Sequence, residues 1–374
     1  MATREMDPSE RLALLQRELE ERQIDALVLV SGSTLRYVTG QAFEAHERLL
    51  MLAVPRSGTP LAVVPRVEAQ RWRDAMPDLE RVFYWDDAEG PDVAAGRALS
   101  NLTTARKVAV EPLSLRYFEY AYLKRHIGQA EIVSAEPVVR ALRQRKESSE
   151  VAALRQAVQI AEASLEAVLP HVRPGVREDE IARRLSGELL LRGGGGVSFG
   201  PIVLAGARSA LPHGEPGDHE IRSGELLLVD FGTSHHGYHA DITRTFVVGA
   251  EPDDLQCRVH RAVLAANEAG RRAARAGVTA SEVHHLCQAD LHGPQWEGWT
   301  KYRTGHGLGL DLHEPPSVMT GSQVVLEPGM VFTIEPGLYR EGWGGVRIED
   351  DVLVTEDGAE TLTTSPRELR VLGA

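Results

Sequence analysis

Leu226-Leu227-Leu228-Val229-Asp230-Phe231 is the stretch on which the fold of this chain turns. The run is apolar enough for a strand buried on both faces, and it carries a carboxylate near its end. A buried, unpaired carboxylate costs several kcal/mol, so Asp230 requires a cation or a proton. The next strand, read over Tyr238 to Val248, contains a second acid, Asp241. A turn over Ser234 to Gly237, centred between His235 and His236, pairs Asp230 with Asp241 across an antiparallel hairpin. Opposed side chains then lie about 5 Å apart. Two carboxylates that close repel unless they share a proton or bridge metal ions; a frayed hairpin with both acids in water is the alternative.

Three further islands bear on that choice. Thr304-Gly305-His306-Gly307-Leu308-Gly309 sets a histidine between glycines, where backbone can approach a ligand closely. Val331-Phe332-Thr333-Ile334-Glu335-Pro336-Gly337 again ends an apolar strand on an acid. Gly345-Val346-Arg347-Ile348-Glu349 alternates, with Arg347 and Glu349 on one face. Taken singly, each is compatible with a structural residue. Together, four acids and one histidine make a hard, mostly oxygen site suited to a pair of Mn²⁺, Co²⁺ or Zn²⁺ ions.

Outward from these islands the chain divides in two. Residues 1–142 alternate helix-like and strand-like segments. A helix fits Pro8 to Arg22 behind Ser9 as cap, and strands fit Ala26 to Val30, Leu49 to Val54, Leu61 to Val64, Val82 to Trp85, Val108 to Val110 and Glu131 to Val133. Such alternation predicts an α/β layer domain. Residues 143–374 open on an amphipathic helix from Ser148 and close strand-rich, with helices over Asp253 to Ala276 and Ala280 to His292 between. Gly193 to Gly196 reads as a mobile surface loop; a phosphate loop would need a following Lys that is absent.

The 374 residues carry 41 Lys plus Arg against 54 Asp plus Glu, a formal charge of −13. That balance argues against nucleic acid as a partner. No apolar run approaches the ~18 residues of a membrane span, and Met1 to Arg11 is too charged for a signal peptide. Cys257 and Cys287, expected on helices and buried, form no CxxC and no disulfide framework. These features predict a cytoplasmic globular protein.

Taken in order, Asp230, Asp241, His306, Glu335 and Glu349 resemble the metal ligands of the dinuclear metallopeptidases of pita-bread fold: methionine aminopeptidase, aminopeptidase P and prolidase. The words VDFGT, ADITRTF, GHGLGLDLHE, FTIEPG and VRIEDD are similar to that family's signatures. The α/β domain in front resembles the creatinase-like N-terminal domain of the Xaa-Pro branch. The resemblance implies an α+β pita-bread catalytic domain, two divalent ions per chain (Mn²⁺, with Co²⁺ or Zn²⁺ as alternatives), a homodimer, and short proline-containing peptides as substrates. It also implies that Glu335 both ligates metal and accepts a proton from water, and that His213 and His313 line the pocket, stabilising the oxyanion and assisting the leaving nitrogen. Arg347 is expected either to orient acidic ligands or a substrate carboxylate, or to form a buried ion pair. Where relatives often carry a histidine four residues before the ligand histidine, this chain has Tyr302, a hydrogen-bond donor that cannot carry charge as imidazolium.

Within that branch the chain reads as an Xaa-Pro dipeptidase, on its compact length, with an Xaa-Pro aminopeptidase acting on longer peptides as the alternative. A dipeptidase must capture the substrate's C-terminal carboxylate. Arg48, on an N-domain loop, is a candidate through the partner subunit, its alternative being a solvated arginine. Creatinase lacks the ligand set seen here. A catalytically silent binding protein on the same scaffold would be expected to lose ligands or the pocket histidines, and this sequence keeps both.

Overall fold

Ala26–Val30 (β1) is apolar at every position and buried at every position, which requires cover on both faces of its sheet. The structure, a computed structural model, describes residues 6–374; Met1 to Glu5, at the head of the charged start, lie outside the described residues. Two compact units are present, one ending at Arg143 and one spanning Gln144–Ala374.

In the first unit, Met51–Pro55 (β2), Leu61–Pro65 (β3), Val82–Trp85 (β4), Lys107–Val110 (β5) and Glu131–Ser134 (β6) join β1 in one mixed sheet of order β4-β3-β2-β1-β5-β6. Neighbours pair antiparallel at β1-β2 and β2-β3 and parallel elsewhere. Among the described residues, six α-helices supply the crossovers and cover. The first, Pro8–Glu21, is capped by Asp7 and not by Ser9. The Asp7 carboxylate accepts from the Glu10 N–H at 2.9 Å, and the Glu10 carboxylate accepts from the Asp7 N–H at 3.1 Å, a reciprocal capping box. Proline at the first helical position had no N–H to lose there.

The second unit is α+β. Ile202–Ala205 (β7), Leu226–Phe231 (β8), a short hairpin of Ser234–His235 (β9) and Tyr238–His239 (β10), and Ile242–Val248 (β11) run in sequence. Then come Gly305–Gly307 (β12), Glu314–Val318 (β13), Val331–Ile334 (β14), Gly337–Arg340 (β15), Gly344–Arg347 (β16), Asp350–Thr355 (β17), Gly358–Thr361 (β18) and Val371–Leu372 (β19). Two main sheets result, β19-β11-β8-β7 and β13-β12-β14-β17-β18. Helices Asp254–Ala273 and Ala280–Gln288 pack Val259, Val263 and Val283 against Phe332, Ile334 and Val352 of the second sheet. Cys287 is buried in this core, whereas Cys257 is only half-buried, so the expectation that both are buried holds for one. No described helix is long and apolar enough to cross a membrane.

The hairpin register differs from the sequence expectation. Asp230 faces Thr243, not Asp241, because the turn is centred one residue later, between His236 and Gly237. Both have positive φ, 48° and 83°, the conformation of a two-residue turn matched to strand twist. Moving the centre by one residue moves the pairing by two, and an even shift keeps every side chain on its original face. Asp230 and Asp241 are therefore diagonal neighbours on the same face. Gly193 to Gly196, expected as a mobile loop, is instead tied to this hairpin: the Gly195 N–H donates to the Ser234 carbonyl at 2.7 Å, and the Thr233 hydroxyl donates to the Gly196 carbonyl at 2.6 Å.

Candidate metal centre

The five expected ligands come from ends of the two sheets. Asp230 lies on β8 and Asp241 just before β11; His306 is on β12, Glu335 follows β14, and Glu349 sits in the gap between β16 and β17. The last point corrects the expectation of one alternating strand: the chain breaks at Ile348 and Glu349, and the Glu349 N–H donates to the Thr243 carbonyl of β11 at 3.1 Å, tying the two sheets together. Three overlapping groups have ligand atoms within 4.8 Å of one another: Asp230, Asp241 and Glu349; His306, Glu335 and Glu349; and Asp241, His306 and His313. All five expected ligands belong to the set, and Asp241, His306 and Glu349 each occur in two of the groups.

Their electrostatics follow from burial. Asp241 is pushed well up from the usual carboxylate range, first by burial and then by Glu349 and Asp230. Glu349 is pushed up by burial, then Glu335 and Asp230. Burial raises Glu335 to about 7, Arg347 opposing the shift. His306 is driven down to about 3 by burial. One of its ring nitrogens, Nδ1, lies 3.1 Å from the Gly307 carbonyl, which can only accept, so Nδ1 carries the proton. Its other nitrogen, Nε2, then presents a lone pair at 3.5 Å from both Asp241 Oδ2 and Glu335 Oε1.

A divalent cation fits this set. Four carboxylates and one imidazole supply hard donors, the acids are held in a surrounding that disfavours their charge, and Asp230 Oδ1 is buried with no hydrogen-bond partner. The other oxygen, Asp230 Oδ2, is taken by Arg347 Nη2 at 2.5 Å. Arg347 is itself buried, and its Nε and Nη1 donate to Thr243 Oγ1 at 3.0 Å and to the Tyr339 hydroxyl at 2.8 Å. The contact of Arg347 with Asp230 is a buried ion pair, the second of the two alternatives expected for it.

These groups floor a cleft of about 1140 Å³ that His213, Tyr302 and His313 also line. The His313 ring stands edge-on to His306 with centroids 4.1 Å apart. Burial, Arg303 and His213 lower its pKa. Tyr302 is 46% exposed and its ring lies 5.2 Å from that of Tyr339. Arg48 belongs to the first unit, where its guanidinium is bidentate on Asp87 at 2.9 and 2.7 Å and 2.7 Å from Glu47.

Sequence reasoning missed four participants. Thr243 donates from Oγ1 to Glu349 Oε2 at 2.6 Å while accepting from Arg347. Tyr339 anchors Arg347. Asp351 accepts from the Asp241 N–H at 3.3 Å. Arg303 lines the cleft. The signal for Thr243 was present, since it follows Asp241 by two and so shares its strand face. Tyr339 and Arg303 have no such local signature.

Comparison with known proteins places both parts of the chain in described families. The profile described as metallopeptidase family M24 matches residues 152–356, and that described as the creatinase/prolidase N-terminal domain matches residues 11–145. A putative dipeptidase of Bacillus subtilis is 34% identical over 363 residues, covering 97% of this chain and 99% of the relative. A prolidase from Thermococcus sibiricus superposes with a TM-score of 0.92 at 30% identity over 99% of this chain and 100% of its own. An Xaa-Pro dipeptidase from Bacillus anthracis superposes at 0.88 with 32% identity, over 98% and 100%.

Proposed function

The chain belongs to metallopeptidase family M24, with a creatinase/prolidase N-terminal domain, and we propose that it hydrolyses the bond before proline as an Xaa-Pro dipeptidase. The observation that carries this reading is the packing of Asp230, Asp241, His306, Glu335 and Glu349 at the floor of a cleft that His213 and His313 line. Similarity to proteins named dipeptidase and prolidase supports the substrate class.

In this reading the five residues would hold two divalent ions, Mn²⁺ before Co²⁺ or Zn²⁺. When bound, such ions acidify a water and polarise the scissile carbonyl. The remaining work belongs to the chain's own groups. Glu335, with its pKa raised to about 7, is poised to accept a proton from the attacking water near neutral pH. His313 and His213 donate hydrogen bonds to the oxygen on which charge develops and pass a proton to the departing proline nitrogen. Tyr302 offers its hydroxyl to the substrate. Arg347 holds Asp230, and Thr243 holds Glu349, so that both carboxylates keep their aim. The role expected of Arg48 is not carried forward, because its guanidinium is already bidentate on Asp87. A homodimer on family resemblance, and a cytoplasmic location on composition and cysteine usage, complete the reading.

The test pairs metal content with peptide length. The purified chain is expected to hold about two ions and to cleave Ala-Pro with a higher kcat/KM than Ala-Pro-Ala. Preference for the tripeptide would convert the assignment to an aminopeptidase. A metal-loaded chain inert to both would end it.

A further inference from the structure

Three arginines line the cleft: Arg183, Arg303 and Arg347. Arg183 is paired with Asp179 at 2.9 Å and Arg347 with Asp230 at 2.5 Å. Arg303 is exposed and, among the described residues, makes no ion pair or side-chain hydrogen bond. Among the described residues it is thus the guanidinium of the cleft that no acid or hydrogen-bond partner already occupies. The other charged groups there are mainly acids, so an arginine left without a partner stands out chemically.

The segment that carries Arg303 is built rather than loose. On one side Thr300 exchanges backbone hydrogen bonds with Tyr339, at 2.8 and 3.1 Å. On the other, Thr304 is fully buried; its N–H donates to the Val318 carbonyl at 2.9 Å, and its own carbonyl accepts from the Glu335 N–H at 2.7 Å. His284 and Gln288 hold the Thr304 hydroxyl at 2.9 and 3.2 Å. The backbone of Arg303 is therefore fixed one residue from a direct bond to the backbone of Glu335.

We propose that Arg303 is the specificity-determining residue that binds the C-terminal carboxylate of a dipeptide substrate. This rests on the dipeptidase reading and names the group that makes it a dipeptidase. In a dipeptide the carboxylate lies one residue, roughly 3.5 Å, beyond the scissile carbonyl. A longer peptide puts a neutral amide at that point. Asp230, Asp241, Glu335 and Glu349 cannot receive a carboxylate, whereas a guanidinium fork matches its two oxygens with two parallel N–H bonds. A lysine would supply the charge without the fork.

The experiment compares Ala-Pro with Ala-Pro-amide, and Ala-Leu with Ala-Leu-amide, on the metal-loaded full chain and its Arg303→Ala and Arg303→Lys variants. The wild type is expected to favour each cleaved acid over its amide by about 10- to 100-fold in kcat/KM, the scale of one charged bidentate contact. Arg303→Ala brings that ratio close to one, mainly through KM, and Arg303→Lys falls between. Binding of L-proline, read by calorimetry, weakens about tenfold or more in Arg303→Ala without any turnover. An acid-to-amide ratio in Arg303→Ala equal to that of wild type, a wild-type ratio near one, or unchanged proline affinity overturns the clamp. Failure of the proline reading looks different: the wild type would cleave Ala-Leu in preference to Ala-Pro, with the Arg303 dependence intact on Ala-Leu.

Discussion

Thr243 shows how one buried hydroxyl can set the geometry of a site it does not ligate. It is fully buried, and its Oγ1 donates to Glu349 at 2.6 Å and accepts from Arg347 at 3.0 Å, while Arg347 in turn holds Asp230. Two acids from distant segments of the chain are thereby referred to a single oxygen. Thr243→Val keeps the shape and removes both bonds, so the Glu349 oxygen loses a donor that favours its charged form. Partners of this kind are worth about 10- to 100-fold in metal affinity. We expect Thr243→Val to weaken metal binding by that factor, as read by titration against a competing chelator, with Thr243→Ser recovering most of it. Wild-type affinity in Thr243→Val would remove Thr243 from the site's support.

Among the elements, the hairpin from β8 to β11 decides whether Asp230 and Asp241 meet. Gly232 lies between them, and a Cβ placed there would stand 1.9 Å from the Ala240 carbonyl oxygen. Gly232→Ala must therefore open the hairpin at the acids, at a cost of about 1–3 kcal/mol for overpacking. The expected result is a folded chain of lowered Tm that retains far less metal than wild type; full metal content and full activity together would show that the strands yield without moving the acids. This hairpin also marks where sequence legibility ends. Apolar runs such as Leu226 to Phe231 and Ala26 to Val30 announce their strands because burial is written in every residue. The register does not announce itself, since it depends on His236 adopting a left-handed conformation that few non-glycine residues take. The five candidate ligands were legible by different signals: Asp230 and Glu335 close apolar strands, His306 sits between glycines, Asp241 follows from the hairpin, and Glu349 from its place two residues after Arg347. Arg303 and Tyr339 were not: a lone arginine in a loop, or a tyrosine whose partner is eight residues on and across a turn, leaves no periodic trace. The Asp7 cap was hidden by a second competent residue, Ser9, two positions away.

At the scale of the whole molecule, the excess of acid over base is less informative than where the buried acids stand. Asp350 is fully buried, yet it is held below the usual carboxylate range, because Arg244 and Arg367 lie at 2.9 and 2.8 Å and offset its burial. Its neighbours in the chain, Glu349 and Asp351, are raised instead, burial being the leading cause for each. The protein thus supplies its own cations to one side of β17 and leaves the other side to an external one. The sign of the pH effect follows. Asp241, Glu335 and Glu349 have folded pKa values above their unfolded ones, so in the metal-free chain each favours folding at low pH. That contribution is lost as pH rises through the folded value, about 7 for Glu335. His306 runs the other way: its folded value near 3 means that it costs stability as pH falls below its ordinary 6.5. Metal must displace the protons that the raised acids hold, so binding tightens as pH rises. At a hundredfold excess over Kd an ion adds about 2.7 kcal/mol, or roughly 5–10 °C in Tm for a unit of this size. The gain in Tm on adding Mn²⁺ at one fixed concentration is therefore expected to be larger at pH 8 than at pH 5.5, and an equal gain at both would mean that the acids reach the ion already ionised, against the direction of their burial.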